Sequence, residues 1–230
     1  MDGFTGTDLA CIRSERIVFA GLGFSVAPGD ALVLSGPNGS GKSSLLRLMA
    51  GISRPAAGEI TWQGTSIADD PERYFADMHY VGHRDAVKPA LSVRENLVFH
   101  CALRTAPPDI DRALDLTGLA ALADLPARML SAGQTRRLAL ARMLASPAPL
   151  WLLDEPTVAL DTRSVDRLRT AIADHRRGGG IVVASTNVPL GIDDAASIDI
   201  SNFARDDETL WGDTVGDRPA SGESAAGDSP

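Results

Sequence analysis

Short apolar blocks alternate along this chain with stretches whose apolar residues recur at helical spacing. Residues 9–13, 17–19 and 22–26 predict strands near the start, followed by a turn at Pro28, Gly29 and Asp30. Ala31–Ser35, Leu150–Asp154 and Ile181–Ser185 are almost unbroken apolar runs, the pattern of parallel strands buried on both faces. Residues 44–50 predict a helix stopped by Gly51, and residues 55–58 turn the chain into a further strand at 59–63. From about 84 to 149 the character becomes helical. Ser92 and Glu95 have capping-box spacing at the start of one helix. Pro107 and Pro108 separate it from a second at 109–117, and Ser131 is placed to cap a third over Ala132–Ala145. Residues 164–177 predict another helix, broken by Gly178, Gly179 and Gly180.

Buried strands alternating with helices give an α/β fold with a mainly parallel sheet. A chain of 230 residues, 44% hydrophobic, suits one such domain with a small helical insert. The expected division is one domain over 1–212, its helical part at about 84–149, and an acidic, disordered tail over 213–230, rich in Gly, Ser, Asp, Pro and Ala. No apolar run approaches the roughly 18–20 residues that span a bilayer. The N-terminus lacks the basic start and apolar core of a secretory signal, so the expected location is cytoplasmic, with any membrane contact made through a partner.

The net charge of −8 argues against a large basic footprint for nucleic acid. Arg136, Arg137 and Arg142 in the middle, and Asp193, Asp194, Asp199, Asp206, Asp207 and Glu208 towards the end, are expected on solvated surface. Cys11 and Cys101 lie far apart, outside any CxxC pattern, and are expected to be reduced, buried thiols.

Candidate chemistry concentrates in three segments. Gly36, Pro37, Asn38, Gly39, Ser40, Gly41, Lys42 and Ser43 match GxxxxGK[ST] between a predicted strand and a predicted helix, the context of a phosphate-binding loop. The three glycines allow close approach of the backbone to an anion, and the loop amides and helix N-terminus, from Ser44 on, surround the phosphates. Lys42 supplies a charge for the β- and γ-phosphates of ATP, and Ser43 a ligand for Mg²⁺. The strand ending in Asp154 and Glu155 supplies the complement: Asp154 for Mg²⁺ or its water shell, Glu155 as general base on the attacking water. Ser131, Gly133 and Gln134, in LSAGQ at the start of a helix, offer a hydroxyl, backbone N–H groups and a positive dipole end to a phosphate.

GPNGSGKS, LSAGQ, WLLDE and the following Ala159, Leu160 and Asp161 together resemble the ATPase subunits of ABC transporters, over nearly the whole chain to about Gly212. The resemblance implies a P-loop NTPase core with an N-terminal antiparallel β subdomain and a helical insert. It also implies that two copies pack head to tail and act on a multi-spanning membrane subunit at the cytoplasmic face of the inner membrane. Ser131, Gly133 and Gln134 would then meet the nucleotide of the second copy, and Asp161 would lie at the dimer interface. The segment from Tyr80 to Leu97, the alanine within LSAGQ and the phrase GISRPAAGEITWQG narrow the likeness to the haem-export ATPases of cytochrome c maturation. His83 stands where most ABC ATPases carry a glutamine that touches Mg²⁺ and the attacking water, and an imidazole can bind either.

Three positions depart from the family pattern. Asn187 replaces a switch histidine that contacts the γ-phosphate; an amide can donate a hydrogen bond there but carries no charge. No aromatic residue stands near Arg13, where the family stacks a tyrosine on adenine, which leaves the guanidinium plane of Arg13 as a candidate. Val158 replaces a small polar residue. The competing readings are an ABC exporter ATPase with another substrate and a soluble ABC protein such as an iron–sulfur assembly scaffold.

Overall fold

The computed structural model describes residues 3–102, 104, 107–186, 188–192 and 194–204. Residues 213–230, and Asp193, Asp206, Asp207 and Glu208, lie outside that set. In chain order the elements are β1 (Phe4–Arg13), β2 (Arg16–Val26), β3 (Ala31–Ser35), α1 (Lys42–Met49), β4 (Ala57–Trp62), β5 (Thr65–Ser66), α2 (Pro71–Ala76) and β6 (Met78–Val81). Then follow α3 (Val93–Cys101), α4 (Ile110–Thr117), α5 (Ala132–Ala145), β7 (Leu150–Asp154), α6 (Thr162–Arg177), β8 (Ile181–Ser185) and β9 (Ala196–Asp199), with short 3-10 turns between some of them.

The first sheet is antiparallel, in the order β2-β1-β4-β5. The strands expected at 17–19 and 22–26 are a single strand, because Gly21 takes φ +72° and the β1–β2 register shifts beside it, between the Leu9–Leu22 and Cys11–Phe19 pairs. The second sheet has the order β6-β7-β8-β3-β9 and is parallel throughout.

Side-chain alternation along the central strands sorts the core into two layers. Leu32 and Leu34, Leu150 and Leu152, and Ile181 and Val183 point to one face, where they meet α1 and the antiparallel sheet. Ala31, Trp151, Leu153, Val182 and Ala184 point to the other and pack under α5 and α6. A third cluster, with Val93, Leu97, Leu114 and Leu138 at its centre, holds α3, α4 and α5 together. Each such fully buried aliphatic side chain contributes about 1.5–3 kcal/mol.

The expected capping box of α3 forms, and the Ser131 cap of α5 proves to be a second one. Ser92 and Glu95 exchange hydrogen bonds at the start of α3, and Ser131 and Gln134 do so at the start of α5. Gly51, at φ +67°, follows the end of α1. Cys11 and Cys101 are buried free thiols. The expectation of surface arginines fails at two positions: Arg136 and Arg142 are only 4% and 6% exposed. Burial lowers the pKa of Arg142 to about 10, although nearby Asp85 opposes the shift.

Candidate functional site

The order β7-β8-β3 puts three strand ends side by side, and each carries part of one site. β3 runs into the glycine loop, β8 ends in Ser185, and β7 ends in Asp154, which pairs with Ser185 in the ladder. Ligands of parallel α/β sheets bind at such carboxyl ends.

The loop is shaped by its backbone. Gly41 caps α1 at φ +107°, and a Cβ there would lie 2.6 Å from Cγ1 of Val18, so only glycine fits. Lys42 is almost fully buried and folds back over the loop, donating to the carbonyls of Gly36 at 2.6 Å and Pro37 at 3.1 Å. Two of its three donors are thereby engaged. The hydroxyl of Ser40 is buried with no partner among the described residues. An orphaned donor beside an inward-held ammonium is what an oxygen-rich anion would satisfy. At the far end of the loop Arg13 donates to the Ser44 hydroxyl at 3.4 Å, which brings the end of β1 to the mouth of α1.

Asp154 is 1% exposed, and among the described residues its side-chain hydrogen-bond partners are two neutral hydroxyls, Ser43 at 3.1 Å and Ser185 at 2.6 Å. A buried carboxylate held by hydroxyls is poorly compensated for its charge. With Ser43 it forms a set of hard oxygen donors suited to a small divalent cation. No group of three or more His, Cys, Asp or Glu side chains among the described residues could hold a metal alone, so a cation there must also be held by its ligand's phosphates. Next to it, Glu155 sits at φ +46°, and its N–H donates to the carbonyl of Ser185 at 3.0 Å and to its hydroxyl at 3.2 Å. A left-handed glutamate is a strained residue of the kind that clusters at functional sites.

Arg136, the fifth residue of α5, ties this corner together. Its Nη2 donates to the carbonyls of Asp154 at 2.7 Å and Glu155 at 2.8 Å, and its Nη1 to Gly82 at 2.9 Å and to Oδ1 of Asp85 at 2.8 Å. It therefore joins the end of β7 to the loop after β6, on both sides of exposed His83. Arg136 and Ser185 are the two functional side chains that sequence reading missed. The signal for Ser185 is a small hydroxyl ending an apolar run. Arg136 gave no signal, since buried guanidinium forks have no local pattern.

LSAGQ lies at the outer end of α5. Exposed Ser131 and half-buried Gln134 are engaged in their own capping box, with Ser131 N–H donating to the Gln134 side chain at 2.8 Å. Gly133 packs on the turn after Glu155: a Cβ there would lie 2.7 Å from the carbonyl oxygen of Ala159. Asp161 caps α6, accepting from the Ser164 N–H at 2.7 Å, and this hydrogen bonding holds its carboxyl below its ordinary pKa. Asn187 lies outside the described residues.

The ABC transporter family pattern matches residues 19–158, from β2 through the strand that ends in Asp154. The chain belongs to the ABC transporter family. It is 55% identical, over 204 residues and 88% of each chain, to the cytochrome c biogenesis ATP-binding export protein CcmA of Rhodospirillum rubrum. To the protein of that name from Paramagnetospirillum magneticum it is 53% identical, over 87% of this chain and 95% of the relative. Among solved structures it is similar to an ATP-binding subunit of an ABC transporter, with a TM-score of 0.77 and 20% identity over 86% of each chain. It is also similar to cbiO1 of Clostridium perfringens, part of the ABC transporter complex cbiONQ, with a TM-score of 0.68, 25% identity and coverage of 82% of this chain and 80% of that one. As an ABC ATPase the chain binds and hydrolyses ATP. No helix of the described residues is long and apolar enough to cross a membrane.

Proposed function

We propose that this chain is the ATP-hydrolysing subunit of an inner-membrane ABC complex that exports or handles haem in cytochrome c biogenesis. The observation that carries the reading is the convergence of Ser43 and Ser185 on buried Asp154, with Glu155 anchored to the same Ser185, beside a phosphate loop, in a chain 55% identical to a cytochrome c biogenesis export protein.

In this reading the segment from Gly36 to Ser44 binds the triphosphate, and Lys42 exchanges the carbonyls of Gly36 and Pro37 for phosphate oxygens. Ser43 and Asp154 hold Mg²⁺, with His83 a further contact to the ion or its water. When bound, Mg²⁺ neutralises phosphate charge and completes the pairing of Asp154. Glu155 accepts a proton from the attacking water as its oxygen bonds to the γ-phosphorus and the ADP oxygen leaves. Arg13 contacts the nucleoside side of the loop, and Asn187 donates to a γ-phosphate oxygen.

A second copy of the chain supplies Ser131, Gly133 and Gln134 to the same nucleotide, their N–H groups and helix dipole meeting the γ-phosphate. Asp161 lies at that interface. Closure of two copies moves the α3–α5 layer, and a multi-spanning membrane subunit bound to it at the cytoplasmic face receives the motion. No nucleic acid is involved. The test is Lys42→Ala in the living cell. It should abolish ATP hydrolysis and the maturation of c-type cytochromes, and normal cytochrome levels in that strain would contradict the haem assignment.

A further inference from the structure

A groove of about 910 Å³ runs between α6 and the α4–α5 pair, and none of Gly36 to Ser44, Asp154 or Glu155 lines it. Its size falls within the range of small-molecule pockets, roughly 300–1,000 Å³. Leu140, Met143, Trp151 and Leu168 give it an apolar lining. Trp151 is 5% exposed, and its indole N–H has no hydrogen-bond partner among the described residues. The Trp151 ring lies nearly parallel to that of His175, with centroids 3.8 Å apart, so its orientation is fixed. A buried, oriented donor without an acceptor costs about 1–3 kcal/mol and marks a place where a ligand oxygen would be accepted.

The rim carries a charge imbalance. Its acids are committed elsewhere: Asp109 caps α4, Asp166 bridges Arg169 at 3.1 Å, and Asp174 pairs with Arg177. Of its cations, Arg137 donates to the carbonyl of Thr117 at 3.0 Å. Arg112, Arg163 and Arg167 make no side-chain hydrogen bond or ion pair to other described residues. On a chain of net charge −8, these three guanidinium groups, of which Arg163 also feels the exposed Asp161 carboxylate at longer range, form a local site for negative charge above an apolar trough.

We propose that this groove binds a small amphipathic organic anion, one per chain and separate from ATP. Its apolar body lies along Met143, Trp151 and Leu168, an oxygen acceptor takes the Trp151 indole N–H, and its carboxylate, sulfonate or phosphate group pairs with Arg163 and Arg167.

The probe is 1-anilinonaphthalene-8-sulfonate, followed by fluorescence with the full chain, alongside N-phenyl-1-naphthylamine, an uncharged molecule with the same aromatic body. The sulfonate should bind at one site per chain, with a dissociation constant unchanged within twofold by saturating ATP. The double change Arg163→Ala and Arg167→Ala should weaken the sulfonate at least tenfold and the neutral analogue less than twofold, with an unchanged thermal midpoint. Trp151→Phe should weaken the sulfonate several-fold. Displacement by ATP, or equal sulfonate binding by the double variant and the parent, would overturn the proposal.

Discussion

Arg136 Nη2 donates to the main-chain carbonyl of Asp154 at 2.7 Å, so the helix that begins beside Ser131 is fastened to the strand that ends in that buried carboxylate. The same side chain reaches Glu155, Gly82 and Asp85. Truncation leaves buried carbonyls without donors and Asp85 without its ion-pair partner. Arg136→Met should therefore cost about 3 kcal/mol or more, a fall in the thermal midpoint of ~6–12 °C for a chain of this size. Because these contacts fix Glu155 and flank His83, kcat should fall more than nucleotide affinity. Arg136→Lys restores charge but not the planar fork, and should recover less than half the lost stability. Calorimetry with a kcat-against-KM comparison checks both.

Gly133 and the Ala159 carbonyl define a second contact between α5 and the turn after β7. A methyl group on Gly133 would have to sit 2.7 Å from that oxygen, and the oxygen belongs to backbone at φ +63° with little room to yield. Gly133→Ala should push the start of α5 away from the turn before Asp161. Binding of a fluorescent ATP analogue to the isolated chain should change less than threefold, since the glycine loop is untouched, while ATP turnover falls at least tenfold. Equal losses in both would place Gly133 in the folding of the chain and not in closure.

Asp154 offers a test in which stability and ligand response move in opposite directions. Among the described residues its buried carboxylate hydrogen-bonds to neutral hydroxyls alone, so Asp154→Asn removes a poorly compensated charge while keeping an oxygen acceptor for Ser43 and Ser185. The variant should unfold at the same temperature as the parent or a few degrees higher in the absence of nucleotide. The rise in midpoint on adding ATP with Mg²⁺ should be largely lost, because ligand stabilisation scales with affinity. A thermal-shift titration reads both quantities in one experiment.

These sites were unequally legible in the sequence. The ends of β3, β7 and β8 could be read because a strand buried on both faces leaves a solid apolar run, and the polar residue that closes the run marks the carboxyl edge of the sheet. The caps of α3 and α5 could be read because Ser92 with Glu95, and Ser131 with Gln134, satisfy local donors at fixed spacing. β6 and β9 were missed: they are four residues long, and His79, Ser197 and Asp199 interrupt their apolar pattern. α2, six residues from Pro71, was missed for the same reason of length. Arg136 and Arg142 were misplaced on the surface because their burial depends on carbonyls brought from β7 and the loop after β6. Such partners are decided by topology, and charge alone then argues for solvent.

His79 ties stability to pH. It is 3% exposed on β6, its Nε2 donating to the Ser146 carbonyl at 2.7 Å. Burial, with help from the nearby positive charges of Arg104 and Arg142, lowers its pKa to about 3. Half-buried His100 is shifted the same way, to about 4. Above the ordinary histidine value of 6.5 neither the folded nor the unfolded chain binds a proton at His79, so the group adds no pH dependence there. Between 6.5 and about 3 the unfolded chain takes the proton and the folded chain does not, so stability falls as pH falls, by up to about 1.4 kcal/mol per pH unit from this group. His79→Gln keeps an N–H donor for Ser146 but does not titrate. Urea unfolding at pH 7, 6 and 5 should show the parent losing about 2 kcal/mol more than this variant between pH 7 and 5. Parallel losses in the two proteins would mean that His79 is already protonated in the folded chain, against its burial and its cationic surroundings.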